Sequence, residues 1–183
     1  MDMKIFFMSD IHGSHRLLEK ALAAFEREQA DAIAFLGDAL YHGPRNPIPD
    51  AYDPKITAAI LNRYKDKMMA VRGNCDSEVD QMMIDYPMLS SSAFIFIDGR
   101  RIYLTHGHVF NPDNLPPLGR GDILAFGHSH VPMAEKRNRI YMFNPGSVSL
   151  PKENYPPSYG MIANGRLRVN DLDGEILMDC PLI

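Results

Sequence analysis

The residues with the clearest chemical potential lie in the stretch Ser9-Asp10-Ile11-His12-Gly13. Asp10 and His12 stand two positions apart, directly after an apolar run of strand length at residues 3–8. Because side chains alternate along a strand, residues at this spacing point the same way. A carboxylate and an imidazole held side by side at the end of a buried strand suit a divalent metal ion. An aspartate that caps the next helix, followed by an exposed histidine, is the alternative for this stretch taken alone.

Polar residues of the same kinds recur where each later predicted strand ends. Their order is Asp10 and His12, Asp38, Asn74, His106 with His108, and His128 with His130. In an open α/β sheet, ligands bind at the carboxyl ends of the strands, so these side chains are expected to meet. Two carboxylates, one amide oxygen and several imidazoles are more ligands than one ion needs. They fit two divalent ions that share a carboxylate, for which Asp38 is the natural bridge.

The pattern between these residues predicts the elements that position them. Strands at 3–8, 32–36 and 67–71 alternate with helical segments at 14–29 and from Pro54 onwards, which is typical of parallel βαβ units. Ser14 and Asp53 are the expected caps of the two helices. The buried face of the second helix is predicted to contain Ile56, Ala59 and Ile60.

The second half of the chain is predicted to be mostly β-structure with tight connections. Its short strands are expected at 94–97, 101–105, 123–126, 133–136, 140–143, 158–163, 167–170 and 175–178. Asn164-Gly165 and Asp173-Gly174 are hairpin turn signals. Two β-rich halves with helices on the outside indicate a layered α/β sandwich.

Composition limits the functions to consider. The 183 residues are enough for one domain with a substantial core, and no apolar run is long enough to predict a membrane span. Two cysteines are too few for a disulfide framework, which favours a reducing cytoplasm as the location. A net charge of −4 argues against broad nucleic-acid binding. It leaves room for a phosphate substrate, because bound cations can be the largest local charges in a site.

The motifs Asp10-x-His12, Gly37-Asp38, Gly73-Asn74-x-Asp76, His106 and Gly127-His128-x-His130 resemble those of the calcineurin-like metallophosphoesterase superfamily, in the same order. Three further segments resemble the small YfcE-type bacterial phosphodiesterases within it, namely Gly43-Pro44-Arg45-Asn46, Arg72-Gly73-Asn74-Cys75-Asp76 and Asn144-Pro145-Gly146-Ser147. The resemblance implies a four-layer αββα sandwich, with residues 1–183 as a single domain and the site at one edge.

The resemblance also implies a ligand set for each metal ion. Asp10, His12, Asp38 and His130 would hold the first ion, and Asp38, Asn74, His106 and His128 the second. Manganese is the expected metal, with iron, zinc and nickel as alternatives that a mixed oxygen and nitrogen ligand set does not exclude.

One position departs from the superfamily pattern. Cys75 stands where many members have a histidine that stabilises the transition state or protonates the leaving oxygen. A thiol is a weaker general acid at neutral pH, so activity on unactivated phosphomonoesters is expected to be poor. The candidates for substrate contact are His108 and three residues of the proline-rich loop after Asp38, namely His42, Arg45 and Asn46.

The predicted function is a phosphodiesterase that acts on a small-molecule substrate, with a metal-bridging hydroxide attacking phosphorus in line. Catalytic roles would fall to Asp38, Asn74, Cys75 and His108. Two alternatives stay open. One is a non-catalytic interaction protein similar to a scaffold subunit of the eukaryotic retromer coat, which the intact ligand positions argue against. The other is a phosphomonoesterase or protein phosphatase, which Cys75 argues against. Relatives of this size often dimerise, so a homodimer is left open as well.

Overall fold

The first sheet of the protein is organised around a strand that is buried along its whole length, Ile5–Met8 (β1). A computed structural model describes residues 3–183. Strand β1 pairs in parallel with Ala32–Phe35 (β2), which pairs in parallel with Met68–Ala70 (β3). The crossovers contain helices His15–Glu28 (α1) and Pro54–Asn62 (α2), and a 3₁₀ turn, Lys65–Lys67, precedes β3. The predicted βαβ units are therefore confirmed.

The second sheet is formed by the middle of the chain. A short helix, Glu78–Gln81 (α3), precedes the strands Ser92–Ile97 (β4), Arg100–Thr105 (β5), Ile123–Ala125 (β6), Met133–Arg137 (β7) and Ile140–Asn144 (β8). Their order in the sheet is β4-β5-β6-β8-β7. Strands β5, β6 and β8 run parallel, while the edge strands β4 and β7 are antiparallel to their neighbours.

The last three strands return to the first sheet. They are Ser158–Ala163 (β9), Arg166–Asp171 (β10) and Ile176–Pro181 (β11). Strand β9 lies antiparallel to β1, which gives a six-stranded sheet of order β11-β10-β9-β1-β2-β3. The two predicted turns, Asn164-Gly165 and Asp173-Gly174, lie in the connections that join β9 to β10 and β10 to β11.

The layers follow from the alternation of side chains along β1. Phe6 points to the helices, where its ring lies edge-on to Phe25 of α1 at 5.8 Å between centroids. Phe7 points to the other side and meets Phe143 of the second sheet at 5.1 Å. The predicted α/β sandwich is thus confirmed, with two facing sheets and with α1 and α2 outside the first. The outer face of the second sheet is covered by the helix-free segment 106–122, through residues such as Phe110 and Leu118.

Two local predictions were wrong and one is confirmed. Ser14 precedes α1 but does not cap it, because its hydroxyl donates to the Asp50 carbonyl at 2.6 Å instead. Asp53 does cap α2, accepting from the backbone N–H groups of Lys55 and Ile56 at 2.9 and 3.0 Å. Ile56 and Ala59 are exposed. The buried face of α2 instead contains Thr57, Ala58, Ile60 and Leu61.

In the part of the chain that the structure covers, residues 3–183, each helix is too short or too polar to cross a lipid bilayer.

Candidate metal centre

The residues expected as metal ligands meet where strands of both sheets end. Asp10 and His12 follow β1, Asp38 follows β2 and Asn74 follows β3, all in the first sheet. His106 follows β5, and His128 and His130 follow β6, in the second sheet. Five of these side chains are almost fully buried, namely Asp10, His12, Asp38, His106 and His130.

The two carboxylates stand among the imidazoles. Asp10 Oδ1 lies 3.1 Å from His130 Nε2 and 3.6 Å from His12 Nε2. Asp38 Oδ2 lies 3.3 Å from His106 Nε2 and 3.7 Å from His12 Nε2. Asp38 therefore faces one residue from each of the two ligand sets that the sequence predicts.

Backbone carbonyls fix the orientation of three of the imidazoles. The Nδ1 atoms of His12, His106 and His130 lie 2.8, 2.7 and 2.6 Å from the carbonyl oxygens of Tyr41, Leu36 and Leu150. A carbonyl oxygen only accepts, so each Nδ1 carries the proton that it donates. The other ring nitrogen, Nε2, is then available as a ligand in the neutral ring, as in most protein metal sites.

The backbone at the ligand positions adopts a conformation that side chains with a Cβ rarely take. Asp10, His12, Asp38, His128 and His130 have φ angles of 57°, 49°, 62°, 63° and 60°. Each such residue costs on the order of 1 kcal/mol, and such costs are concentrated at functional sites. Backbone hydrogen bonds hold the turns in place, for example from Asp10 N to the Gly37 carbonyl at 3.0 Å.

Ser147 and Ser149, in the segment after β8, stabilise the turn at Asp10. Their hydroxyl groups donate to the Asp10 carbonyl at 2.8 and 3.1 Å. Asn144, which opens the same segment, donates from Nδ2 to the Gly127 carbonyl at 3.0 Å. The motif Asn144-Pro145-Gly146-Ser147 therefore joins the β1 loop to the β6 loop.

The buried carboxylates of Asp10 and Asp38 favour a positive charge in the centre. Burial alone would lower the pKa of His106, but its hydrogen bond to Asp38 and the charges of Asp10 and Asp38 outweigh burial and raise the pKa to about 9. Burial would raise the pKa of Asp10, but hydrogen bonds from the protonated forms of His12 and His130 hold it well below its usual value. The centre thus stabilises a proton or a metal cation.

The donor set fits divalent metal ions. The ligand atoms of Asp10, His12 and His130 lie within 4.8 Å of one another, as do those of Asp10, Asp38 and His106. Asp10 Oδ1 is buried and has no hydrogen-bond partner among residues 3–183. When the imidazoles are neutral with the proton on Nδ1, this oxygen faces the unprotonated Nε2 of His130 at 3.1 Å. A buried carboxylate oxygen that faces bare nitrogen lone pairs is costly unless a cation lies between them. Metal binding would remove that cost.

Two predicted ligands lie at the margin of the centre. Asn74 is exposed, with Oδ1 3.0 Å from His106 Nε2. His128 is partly buried, and its ring lies 5.1 Å from that of His106. It belongs to none of the compact ligand groups among residues 3–183.

A cavity of about 460 Å³ opens directly onto this centre. Asp38, Asn74, His128 and His130 contribute to its wall. The opposite part of the wall is formed by residues outside the ligand sets, which are Gly43, Pro44, Arg45, Asn46, Cys75 and Lys152. The cavity is therefore a candidate substrate pocket that adjoins the metal centre.

The calcineurin-like phosphoesterase superfamily domain model matches residues 3–164, which include all the ligand positions described above. The chain belongs to this superfamily. Phosphodiesterase YfcE of Escherichia coli strain K12 is 47% identical over 176 residues, which is 96% of each chain. The solved structure of that phosphoesterase superimposes with a TM-score of 0.97 at 46% identity, covering 99% of this chain and all of the other. The predicted resemblance is thereby confirmed.

More distant matches agree in fold. The probable metallophosphoesterase YsnB of Bacillus subtilis is 26% identical over 168 residues, which is 87% of this chain and 83% of that protein. Vacuolar protein sorting 29 of Cryptosporidium parvum superimposes with a TM-score of 0.64 at 17% identity, with 98% of both chains covered. At that identity the likeness concerns the fold of the superfamily alone.

Cys75, where the chain departs from the superfamily pattern, lies in the cavity wall. Asn74 Nδ2 donates to its sulfur at 3.3 Å. Burial, followed by the negative charge of Asp38, raises the pKa of the thiol to about 12. The thiol is therefore neutral and holds its proton firmly.

The other candidates for substrate contact lie in different places. Arg45 and Asn46 line the cavity. His42 does not line it, because its ring packs against those of Tyr41 and Tyr52, at 4.9 and 5.2 Å between centroids. His108 is exposed beside the cavity, 5.5 Å from the ring of His106.

Lys152 was not predicted from the sequence. It lies in the loop after β8, far along the chain from every superfamily motif except Asn144-Pro145-Gly146-Ser147. A lysine between proline and glutamate in a predicted loop carries no signal of its own, and only the fold brings it to the cavity.

Proposed function

We propose that this chain is a metal-dependent phosphodiesterase that hydrolyses a small-molecule phosphodiester at a centre of two divalent ions. The observation that carries the proposal is the position of Asp38 Oδ2, 3.3 Å from His106 Nε2 and 3.7 Å from His12 Nε2. A carboxylate oxygen between two imidazoles is suited to bridge two ions. The high identity to a relative named as a phosphodiesterase supports the same reaction here.

Each ion would have its own ligands. Asp10, His12, Asp38 and His130 would hold the first ion, and Asp38, Asn74, His106 and His128 the second. When bound, two divalent ions supply a water nucleophile that is activated at neutral pH, and they neutralise charge on the phosphoryl oxygens during in-line displacement. We propose manganese as the metal, with iron, zinc and nickel as alternatives, because oxygen and nitrogen ligands accept all of them.

The residues of the chain prepare the site for this chemistry. The carbonyls of Tyr41, Leu36 and Leu150 keep the ring nitrogens of three histidines oriented, so little reorganisation is needed when a substrate enters. Asn74 and His128 form the boundary between the centre and the cavity and are placed to contact the phosphoryl group. His108 is the nearest exposed imidazole and is proposed as a further phosphate contact.

Cys75 limits the reaction to substrates that need little acid catalysis. Its neutral thiol holds its proton too firmly to protonate a departing alkoxide efficiently. Diesters with leaving groups of low pKa would therefore be the better substrates. The same residue disfavours the alternative of a phosphomonoesterase or protein phosphatase.

A matched pair of chromogenic substrates tests the proposal. Bis-p-nitrophenyl phosphate and p-nitrophenyl phosphate release the same leaving group, so their kcat/KM values compare a diester with a monoester directly. We expect the protein loaded with manganese to prefer the diester, and Asp38→Asn to abolish the activity. A preference for the monoester would contradict the proposal. Absence of hydrolysis with two ions bound would instead favour the non-catalytic interaction protein.

A further inference from the structure

We propose that the natural substrate carries a second anionic group, a phosphoryl or carboxylate group on one ester arm, that binds between Arg45 and Lys152. The inference rests on the proposed phosphodiesterase function and narrows its substrate class. It begins from the cavity of about 460 Å³ beside the metal centre, whose wall contains both cationic side chains.

The two cations reach the cavity from separate parts of the chain. Arg45 lies in the loop between β2 and α2, and Lys152 lies in the loop between β8 and β9. Both line the same space as Asn74 and His128, which border the metal centre. Two cations from independent loops therefore converge on one cavity in a protein whose net charge is −4.

Neither cation is neutralised by the protein. The side chains of Arg45 and Lys152 have no ion pair or hydrogen bond with any other residue in the range 3–183. Asp38 is the one acidic residue in the described wall of the cavity, and its Oδ1 already accepts from Cys75 N at 2.8 Å. Glu153 follows Lys152 in sequence but lines a neighbouring cavity of about 530 Å³. An anion in the first cavity would meet both cations, and Asp38, a proposed metal ligand, is the one carboxylate in the described wall.

The loop that carries Arg45 is anchored to the site. Asn46 Nδ2 donates to the His42 carbonyl at 2.9 Å, which closes the turn around Arg45. Gly43 has a φ of +81°, and a Cβ at this position would lie 3.1 Å from the sulfur of Cys75. Close packing of the turn against Cys75 thus holds the backbone that carries Arg45.

The loop that carries Lys152 is anchored to a metal-ligand candidate. Lys152 N donates to the His130 carbonyl at 3.3 Å, and His130 Nδ1 donates in turn to the Leu150 carbonyl at 2.6 Å. Tyr155 N donates to the Lys152 carbonyl at 3.1 Å and closes the turn. The backbone that carries each cation is therefore held relative to the ligands, and the two side chains extend from it as exposed groups.

The amount of positive charge exceeds what a simple diester requires. A phosphodiester carries one negative charge, which two divalent ions held by Asp10 and Asp38 would already balance. A guanidinium and an ammonium group beyond the centre are suited to a second set of anionic oxygens, which a guanidinium binds in a fork. A phosphoryl and a carboxylate group share this chemistry.

Two nucleotide diesters with the same leaving group test the inference. Thymidine 5′-(p-nitrophenyl phosphate) has a neutral 3′-hydroxyl, and thymidine 3′-phosphate 5′-(p-nitrophenyl phosphate) has an anionic group at that position. Nitrophenolate release reports the diester bond in both. For the metal-loaded protein we expect kcat/KM to be about tenfold or more higher for the anionic substrate, as expected for hydrogen bonds to a charged group. A carboxylate-bearing diester of the same leaving group would distinguish a phosphoryl from a carboxylate preference.

Arg45→Ala and Lys152→Ala should each reduce this ratio of kcat/KM values, and the double variant should bring it close to one. Lys152→Glu should lower it further. Lys20→Ala is the matched control, because it removes the same charge from an exposed position on α1 and should leave the ratio unchanged.

The outcomes separate this inference from the proposed function. Hydrolysis of both substrates at equal kcat/KM would overturn the second anionic group and leave the phosphodiesterase intact. A ratio that survives both alanine substitutions would also overturn it. Hydrolysis of neither substrate by the protein with two ions bound would instead overturn the proposed function.

Discussion

Asp76 Oδ2 accepts a hydrogen bond of 2.8 Å from the backbone N–H of Asp38, so one buried carboxylate positions the peptide that carries another. The same side chain accepts from Ala39 N at 2.8 Å and from Gly73 N at 2.7 Å. It therefore ties the loop after β2 to the loop after β3. The two loops are so close at this point that a Cβ on Gly73 would overlap the side chain of Asp38.

Removal of this carboxylate should destabilise the protein. Asp76→Ala leaves three buried N–H groups without an acceptor, which we expect to lower the free energy of unfolding by about 3 kcal/mol. Asp76→Asn keeps one acceptor oxygen and should cost less. Urea denaturation followed by circular dichroism measures both, with Glu19→Ala on the exposed face of α1 as the control. A loss in Asp76→Ala no larger than in the control would show that the carboxylate does not brace the loops.

Metal content should reach two ions per chain at saturation. The ligand positions comprise more donors than one ion takes. Their atoms form three overlapping groups, in which Asp10, His12 and Asp38 each occur twice. Elemental analysis after loading with manganese and removal of free metal measures the stoichiometry. Asp10→Ala should lower it, whereas His15→Ala, at the partly buried start of α1 and outside the ligand sets, should leave it at two. A plateau at one ion in the unmodified protein would contradict a dinuclear centre.

Asp38 and His130 should differ in how strongly their substitution affects activity. As a bridge, Asp38 would serve both ions, whereas His130 lies close to Asp10 and His12 of one ligand set. We therefore expect the residual kcat/KM of Asp38→Asn to be about tenfold or more below that of His130→Ala. Both variants are assayed with bis-p-nitrophenyl phosphate at saturating metal. Equal residual rates would indicate that Asp38 serves a single ion.

Much of the centre could be predicted from the sequence because its geometry depends on a general rule. The carboxyl ends of parallel strands meet at one sheet edge, so a polar residue just after each predicted strand is placed without knowledge of any long-range contact. Asp10, Asp38 and Asn74 illustrate this rule in the first sheet. To place His106 and His128 at the centre, one must know that a second sheet packs on the first with its strand ends at the same edge. The superfamily resemblance implied that arrangement.

The remaining features depend on contacts between segments that are distant in sequence. Thr57, which has a polar side chain, was not among the residues predicted for the buried face of α2. It is buried because its hydroxyl donates to the carbonyls of Gly13 and Asp53 at 2.9 and 2.8 Å. Ser14 does not cap α1 for a similar reason, because its hydroxyl donates to the Asp50 carbonyl. Lys152 was missed because loop conformation decides which side chain reaches the cavity. The same dependence on loop conformation packs the ring of His42 against Tyr41 and Tyr52.

Cys75 should make the reaction sensitive to the leaving group. Its sulfur borders the cavity of about 460 Å³, which leaves room for a larger side chain at this position. The pKa of the thiol, raised to about 12 by burial and by Asp38, makes it a poor proton donor at neutral pH. The rate of the unmodified protein should therefore fall steeply across a series of aryl phosphodiesters as the pKa of the leaving phenol rises.

Cys75→His should flatten that dependence, because an imidazolium at the cavity wall can protonate a poor leaving group, and general acid help is worth roughly 10²–10⁴-fold. The gain should be largest for the least acidic phenols and small for nitrophenol. Cys75→Ser, which is similar in size but has no imidazole, should keep the steep slope. All proteins are assayed at equal metal occupancy, so that a change in metal binding does not imitate a change in chemistry. If Cys75→His and the unmodified protein give parallel slopes, the side chain at this position does not reach the leaving oxygen, and the preference for activated diesters must have another cause.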